Sequence, residues 1–347
     1  MSIERFKMSG SAMMMSFKVS AKEVQKIVSR LEILPAERSG IVGGDSVNVA
    51  AVQLLCRHYP SLAEYIVDMN LYVADAVNRR ADIVCFPALC GMLPITFLPQ
   101  FQEFLPTLRA HPETGLPDLD RLSEFLSVFS DVMFDAYYHT MSALAARHRV
   151  YIMAGSVLFF EENELCHRAM LFDDQGELVG TQDKISQSKL ELGLRIDPAP
   201  EIRVFDTPAG AVCILIGSDV DYFETGRIAK ALGADIILNP AGFFHEHTPM
   251  DTAGGLGLRV QENVLYGVQS TMVGTTGLEF DLEGPCTIYA PQGVTSRRNG
   301  VVAQSNGRHE PDLINSTLSF DSLDAVRSPY LHDKNTGLMD KYIDRLY

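Results

Sequence analysis

The chain has 347 residues, a formal net charge of -15 at pH 7, 46% hydrophobic and 21% charged residues. That composition allows a large buried core. The acidity argues against binding to a nucleic-acid backbone, which needs clustered Lys and Arg, and lends no support to attraction by an anionic membrane. No apolar run reaches the roughly 18 residues of a spanning helix, and no charged leader precedes an apolar stretch of signal-peptide length. The six cysteines are scattered and none forms a CxxC pair. Reduced core thiols in a cytoplasmic protein fit this pattern better than a disulfide framework or a cysteine zinc site.

Residues 1–45 read as an extension carrying one short amphipathic helix, with Val24, Ile27, Val28 and Leu31 at helical spacing. The ordered domain is expected over 46–326. A tail over 327–347, dotted with Tyr330, Leu331, Leu338 and Tyr342, suits a subunit interface. Residues 47–54 form a β-branched run suited to a buried strand. Ser61 with Glu64 three residues on makes a capping-box pattern. The helix it opens carries Leu62, Tyr65, Ile66, Met69, Val73, Ala76 and Val77 on one face. Residues 81–86 are a second strand closed by Pro87, so strand, helix and strand follow with short links, the unit of a mostly parallel sheet. From 91 to 131, Pro94, Pro99, Pro106, Pro112 and Pro117 interrupt apolar pieces, and the segment reads as an irregular lid or interface. A helix over 132–147 and strands over 150–156 and 169–172 follow, the last with a turn at 173–176. Residues 202–205 and 211–216 read as a strand pair. Next come a helix through Ile228, Ala229 and Leu232, a strand over 234–240, a helix over 258–266, and strands over 268–273 and 287–290. The alternation predicts an α/β fold with helices covering the sheets.

The apolar run 211–216 stops abruptly at Gly217-Ser218-Asp219, and a helical pattern begins near Phe223. A strand, sharp turn and helix is where many α/β enzymes hold a nucleophile, its side chain clear of the sheet. Here the tip residue, Gly217, has no side chain. Together with 81–91, 181–191, Gly155-Ser156, Gly233-Ala234-Asp235, Asn239-Pro240 and the run from Arg259 to Asn263, this turn resembles the nitrilase, or carbon–nitrogen hydrolase, superfamily over roughly 47–327. The resemblance implies a four-layer α-β-β-α sandwich, usually paired through helices into dimers and larger assemblies. It also implies hydrolysis of nitriles or amides, or acyl transfer, by Glu, Lys and Cys. A thiolate attacks the carbon, a carboxylate moves the protons, and an ammonium stabilises the oxyanion.

Carried over residue by residue, Lys184 and Glu191 match the family's lysine segment. Ala88 stands where the family has its general-base glutamate, directly after Pro87, and Gly217 stands where it has its cysteine. Ser218 is the one credible substitute nucleophile, and Asp219 matches a residue that braces the turn. Cys213 shares a strand face with Gly217 but lies roughly 13 Å back, at about 3.3 Å per residue, and reads as a packing thiol. Cys90 reads as a loop thiol. His245-Glu246-His247 has no third ligand in view, and no metal or cofactor is expected. These positions predict a family member with a degenerate site, lacking hydrolase activity and serving as a binding, assembly or regulatory subunit. Its expected partners are a small amide, nitrile or carboxylate, further copies of itself, and an active paralogue. The competing expectations are an enzyme with an altered site, through Ser218 as nucleophile or Lys184 in acid–base or Schiff-base chemistry, or an engineered inactive form of an amide or nitrile hydrolase whose native residues are Glu at 88 and Cys at 217.

Overall fold

Alternate residues of the central strands face different layers, and that alternation builds the molecule. The computed structural model describes residues 3–32, 43–108, 118–243, 255–275 and 281–332. Its helices are α1 (Ile3–Lys18), α2 (Ala21–Val28), α3 (Leu62–Asn78), α4 (Pro99–Phe104), α5 (Leu119–His148), α6 (Lys189–Leu194), α7 (Phe223–Ala231), α8 (Leu256–Asn263) and α9 (Phe320–His332). The first strands are β1 (Ser46–Leu55), β2 (Ile83–Cys85), β3 (Tyr151–Glu161), β4 (Glu164–Phe172), β5 (Leu178–Asp183), β6 (Val204–Thr207) and β7 (Gly210–Ile214). β8 (Ile236–Gly242), β9 (Tyr266–Thr275), β10 (Asp281–Leu282), β11 (Thr287–Tyr289), β12 (Val301–Gln304) and β13 (Asp312–Ser319) complete them.

The strands run in the order β5-β4-β3-β2-β1-β9-β8-β7-β6, with β13 on β1, β10 and β11 on β9, and β12 on β11. β1 joins the two halves. It pairs β9 only through Leu54 with Met272 and Leu55 with Val273, so the sheet folds over at that end. Val49 and Ala51 of β1 and Ile83 and Cys85 of β2 meet Val212, Ile214, Ile236 and Leu238 in a core between the two half-sheets. Ala50, Val52, Val84 and Phe86 point the other way, into the core under α3 and α5. On the far side Cys213, Leu215 and Ile237 pack beneath Ala229 of α7 and Val260 of α8. The result is the α-β-β-α sandwich expected from the sequence.

All seven apolar-face residues expected of α3 are buried, and Ser61 Oγ accepts from Glu64 N at 3.3 Å. The helix expected over 132–147 is far longer. It starts at Leu119, capped by Asp118, which accepts from Arg121 N at 3.1 Å. Leu122, Phe125, Leu126 and Phe129 extend the same buried stripe backward, and the Phe125 ring stacks on Phe104 and Phe129 with centroids 4.6 Å apart. The irregular reading of 91–131 is therefore corrected at both ends, since a 3-10 turn at Cys90–Phe97 and α4 also lie there. β3 and β4 run on into one hairpin, turned by Glu162 and Asn163 at φ +51 and +72. β12 and β13 were not expected. β13 lies along β1 over Ser46 to Gln53 as an outer strand, and its polar sequence hides it.

In the N-terminal region α2 buries Val24 and Val28, and α1 precedes it; both pack on α5. At the other end Arg327 Nη1 donates to Asp235 Oδ1 at 2.7 Å, tying α9 to the start of β8. Leu338, Tyr342 and the His245-Glu246-His247 run lie outside the described residues. Among the described residues no helix is long and apolar enough to cross a membrane.

Candidate active site

β7 ends at Ile214, and the chain turns at Gly217 with φ +51 before a 3-10 turn, Gly217–Asp221, leads into α7. A left-handed backbone lifts the tip of such a turn off the sheet, and glycine adopts it without steric cost. A Cβ added at Gly217 would meet one atom within 4 Å, Lys184 Nζ at 3.8 Å. The turn is braced from behind. Asn239 Nδ2 donates to Leu215 O at 2.6 Å and Gly217 O at 3.1 Å, and Thr225 Oγ1 donates to Asp219 O at 2.7 Å.

Lys184 follows β5 and is 4% exposed. Its Nζ donates to Ile216 O at 2.8 Å, Ser218 Oγ at 3.1 Å and Asp219 Oδ1 at 3.3 Å. An ammonium has three hydrogens, and these acceptors take them. Asp219 is fully buried. It accepts from Ser186 N at 2.7 Å, Ser186 Oγ at 2.6 Å and Ile216 N at 2.9 Å, with Ile185 N at 3.2 Å. Ser218 Oγ also lies 3.3 Å from Ser186 Oγ.

Ala88 is buried in the turn after β2, its N donating to Ala241 O at 3.2 Å. Gly217 is bonded to Asn239, two residues earlier on β8. The two positions therefore meet the same strand about 7 Å apart along its length. They sit at the carboxyl ends of β2 and β7, where ligands of α/β sheets bind.

Glu191, in the first turn of α6, is 3% exposed. Its Oε1 lies 2.9 Å from His167 Nδ1, and its Oε2 accepts from Ser188 N at 2.9 Å and from Ser188 Oγ. Burial alone would raise its pKa. His167, the Lys184 charge and Ser188 outweigh that and hold the carboxyl at about 2. His167 Nε2 in turn lies 2.7 Å from Ser156 Oγ. His167, Ser186 and the bracing role of Asn239 escape a reading of the sequence; only Gly155-Ser156 and Asn239-Pro240 signal their neighbourhood.

The cysteines stand apart. Cys213 is fully buried in the core beneath α7 and α8. Cys90 is fully buried too, its Sγ donating to Ala154 O at 2.9 Å. Burial pushes both thiols up. Among the described residues no group of three or more His, Cys, Asp or Glu is placed to hold a metal ion.

Comparison with known proteins gives these turns their setting. The carbon–nitrogen hydrolase family model matches residues 48–327. The chain is 27% identical over 283 residues to the probable hydrolase YhcX of Bacillus subtilis (strain 168), covering 77% of this chain and 49% of that protein. A hydrolase of Schizosaccharomyces pombe is 25% identical over 114 residues, 30% of this chain and 35% of that one. The chain thus spans about half or less of the curated relatives it matches. In fold it is similar to a double mutant of the amidase from Nesterenkonia sp. AN1 in complex with acrylamide, with TM-score 0.62, 17% identity, 86% of this chain and 98% of that one covered. It is also similar to Nit3 of Saccharomyces cerevisiae, of branch 10 of the nitrilase superfamily, with TM-score 0.62, 15% identity and coverages of 87% and 98%. With the sandwich in place and four-fifths of its length matched, the chain belongs to the carbon–nitrogen hydrolase family.

Proposed function

We propose that this family member binds a small amide, nitrile or carboxylate in the cleft at Gly217 without hydrolysing it, and acts as a binding, assembly or regulatory subunit. One observation carries the reading. The tip of the turn holds no nucleophile, and among the described residues beyond its chain neighbours the space where one would stand is bordered within 4 Å only by Lys184 Nζ. A hydrogen cannot form a thioester, and the methyl of Ala88 cannot move a proton. No pKa shift repairs either, because the groups are missing. Lys184 meanwhile spends its hydrogens on its own chain. The test is the Ala88→Glu, Gly217→Cys double variant, assayed with simple amides and nitriles. Hydrolysis by that variant supports a retained binding cleft. A double variant that folds, yet neither binds nor hydrolyses any of them, counts against it.

Ser218 sustains a second reading. Its hydroxyl can pass a proton to Ser186 and on to Asp219, with Lys184 alongside. The carboxylate at the end already accepts from backbone N–H groups of Ile185, Ser186 and Ile216 and from Lys184 Nζ, so its lone pairs are largely taken. Incubation with an activated ester decides between the two. An acyl adduct seen by intact mass and lost in Ser218→Ala favours Ser218.

The same proposal includes self-association. Tyr222, Phe223, Ile228, Leu232 and Leu258 expose 50%, 44%, 45%, 53% and 39% of their surface around α7 and α8, an apolar face of the kind that marks an interface. Ile228→Glu is expected to lower the molar mass seen by light scattering. An unchanged mass, monomeric or not, places any interface elsewhere.

A further inference from the structure

Leu89 sits directly after Ala88 at φ +60. That conformation costs a bulky side chain about 1–3 kcal/mol and persists only where the surroundings fix it. Here Ser156 Oγ accepts from Leu89 N at 3.0 Å, while Ala88 and Cys90 on either side are bonded to Ala241 and Ala154. Ser156 leads to His167 at 2.7 Å, and His167 to Glu191 at 2.9 Å. Ser156, His167 and Glu191 are 0%, 4% and 3% exposed.

The donor inventory orients the chain. An ionised Glu191 only accepts, so the hydrogen between it and His167 is on Nδ1. Ser156 Oγ accepts from Leu89 N and has one hydrogen to give, with His167 Nε2 in reach. Leu89 N–H therefore points to Ser156, Ser156 O–H to His167, and His167 N–H to Glu191, a tautomer assigned from the network. Serine hydrolases use the same order of groups, but this hydroxyl is sealed from any substrate.

We propose that His167 is a positioning residue that couples the 87–90 turn, which carries Ala88, to the 184–191 segment, which carries Lys184, and so fixes the electrostatic environment Lys184 presents at Gly217. The proposal rests on the cleft proposed at Gly217 being the functional site, and is independent of whether it hydrolyses its ligand. Without His167, the Glu191 carboxylate keeps Ser188 but loses its second anchor and turns toward Lys184.

The test uses a reporter thiol introduced by Gly217→Cys, whose Cβ meets Lys184 Nζ at 3.8 Å and carries the strain of φ +51. Its alkylation by iodoacetamide is followed against pH by peptide mass mapping, which separates it from the half-buried Cys56 and Cys166. Beside the ammonium its midpoint is expected below the roughly 8.5 of free cysteine. Adding His167→Leu or Ser156→Ala raises the midpoint by about 0.5 unit or more, about threefold in thiolate at a given pH. His167→Gln, which keeps one donor and one acceptor, recovers at least half of the shift. Asn70→Ala breaks the other buried histidine pair, His148 Nε2 to Asn70 Oδ1 at 2.8 Å on α5 and α3, and leaves the midpoint alone. Ser218→Cys is a second reporter if the first does not fold, since Ser218 Oγ lies 3.1 Å from Lys184 Nζ. A midpoint unmoved by both His167→Leu and Ser156→Ala overturns the proposal, as does a His167→Gln variant that behaves like His167→Leu.

Discussion

Asp219 and Lys184 form an ion pair, yet the two halves of that pair should not cost the same to remove. Asp219→Ala strands a buried ammonium and takes the acceptor from Ser186 N, Ile185 N, Ile216 N and Ser186 Oγ. Breaking a buried pair costs about 3–5 kcal/mol, and the orphaned backbone donors push the value to the upper end of that range. Lys184→Met removes the charge whose other partners, Ile216 O and Ser218 Oγ, are neutral acceptors. It leaves the Asp219 carboxylate with those same donors, so its cost should be about 1–2 kcal/mol. Domains are typically stable by about 5–15 kcal/mol, so Asp219→Ala stands close to unfolding and Lys184→Met does not. Urea midpoints compared at constant m-value give the difference. Equal losses in the two variants, or a loss below about 2 kcal/mol for Asp219→Ala, would refute the assignment of Asp219 as the hub of the turn.

Two buried groups predict the acid side of the stability curve. Burial, followed by the Arg147 charge, lowers the pKa of His148 from 6.5 to about 4. The unfolded chain takes up that proton first, so this contribution is whole above pH 6.5 and fades as pH falls toward 4. It amounts to about 3 kcal/mol, and His148→Gln should flatten urea midpoints across that window. Glu191 is also depressed, from 4.5 to about 2. Its contribution, again about 3 kcal/mol, is present above pH 4.5 and lost toward pH 2; Glu191→Gln should remove the dependence there. A Glu191→Gln curve that still falls as steeply would place the acid-sensitive group elsewhere.

The succession of strands and helices made an α/β fold legible, and the resemblance carried by the motifs implied the sandwich. Val212 to Ile216 read only as a continuous apolar run, and the structure shows its odd and even residues entering different cores. The first half of α5 was hidden by the prolines before it, although Phe125 and Phe129 already carried the helical spacing. β13 was hidden for the opposite reason. As an outer strand it buries little, so its sequence has no apolar alternation to read. At the site, the positions of Lys184, Glu191, Ala88 and Gly217 could be named from the register of the family motifs the chain resembles. His167 could not, since its partners Ser156 and Glu191 lie 11 and 24 residues away in sequence and meet only when β3, β4 and α6 pack.

The central claim concerns a turn kept in shape with its reacting groups absent. The most direct measurement is steady-state product release by the purified chain from a panel of small amides and nitriles, calibrated against a spontaneous blank. The account predicts rates indistinguishable from the blank. Turnover at about 1 per second or faster, an ordinary enzymatic rate, would contradict it.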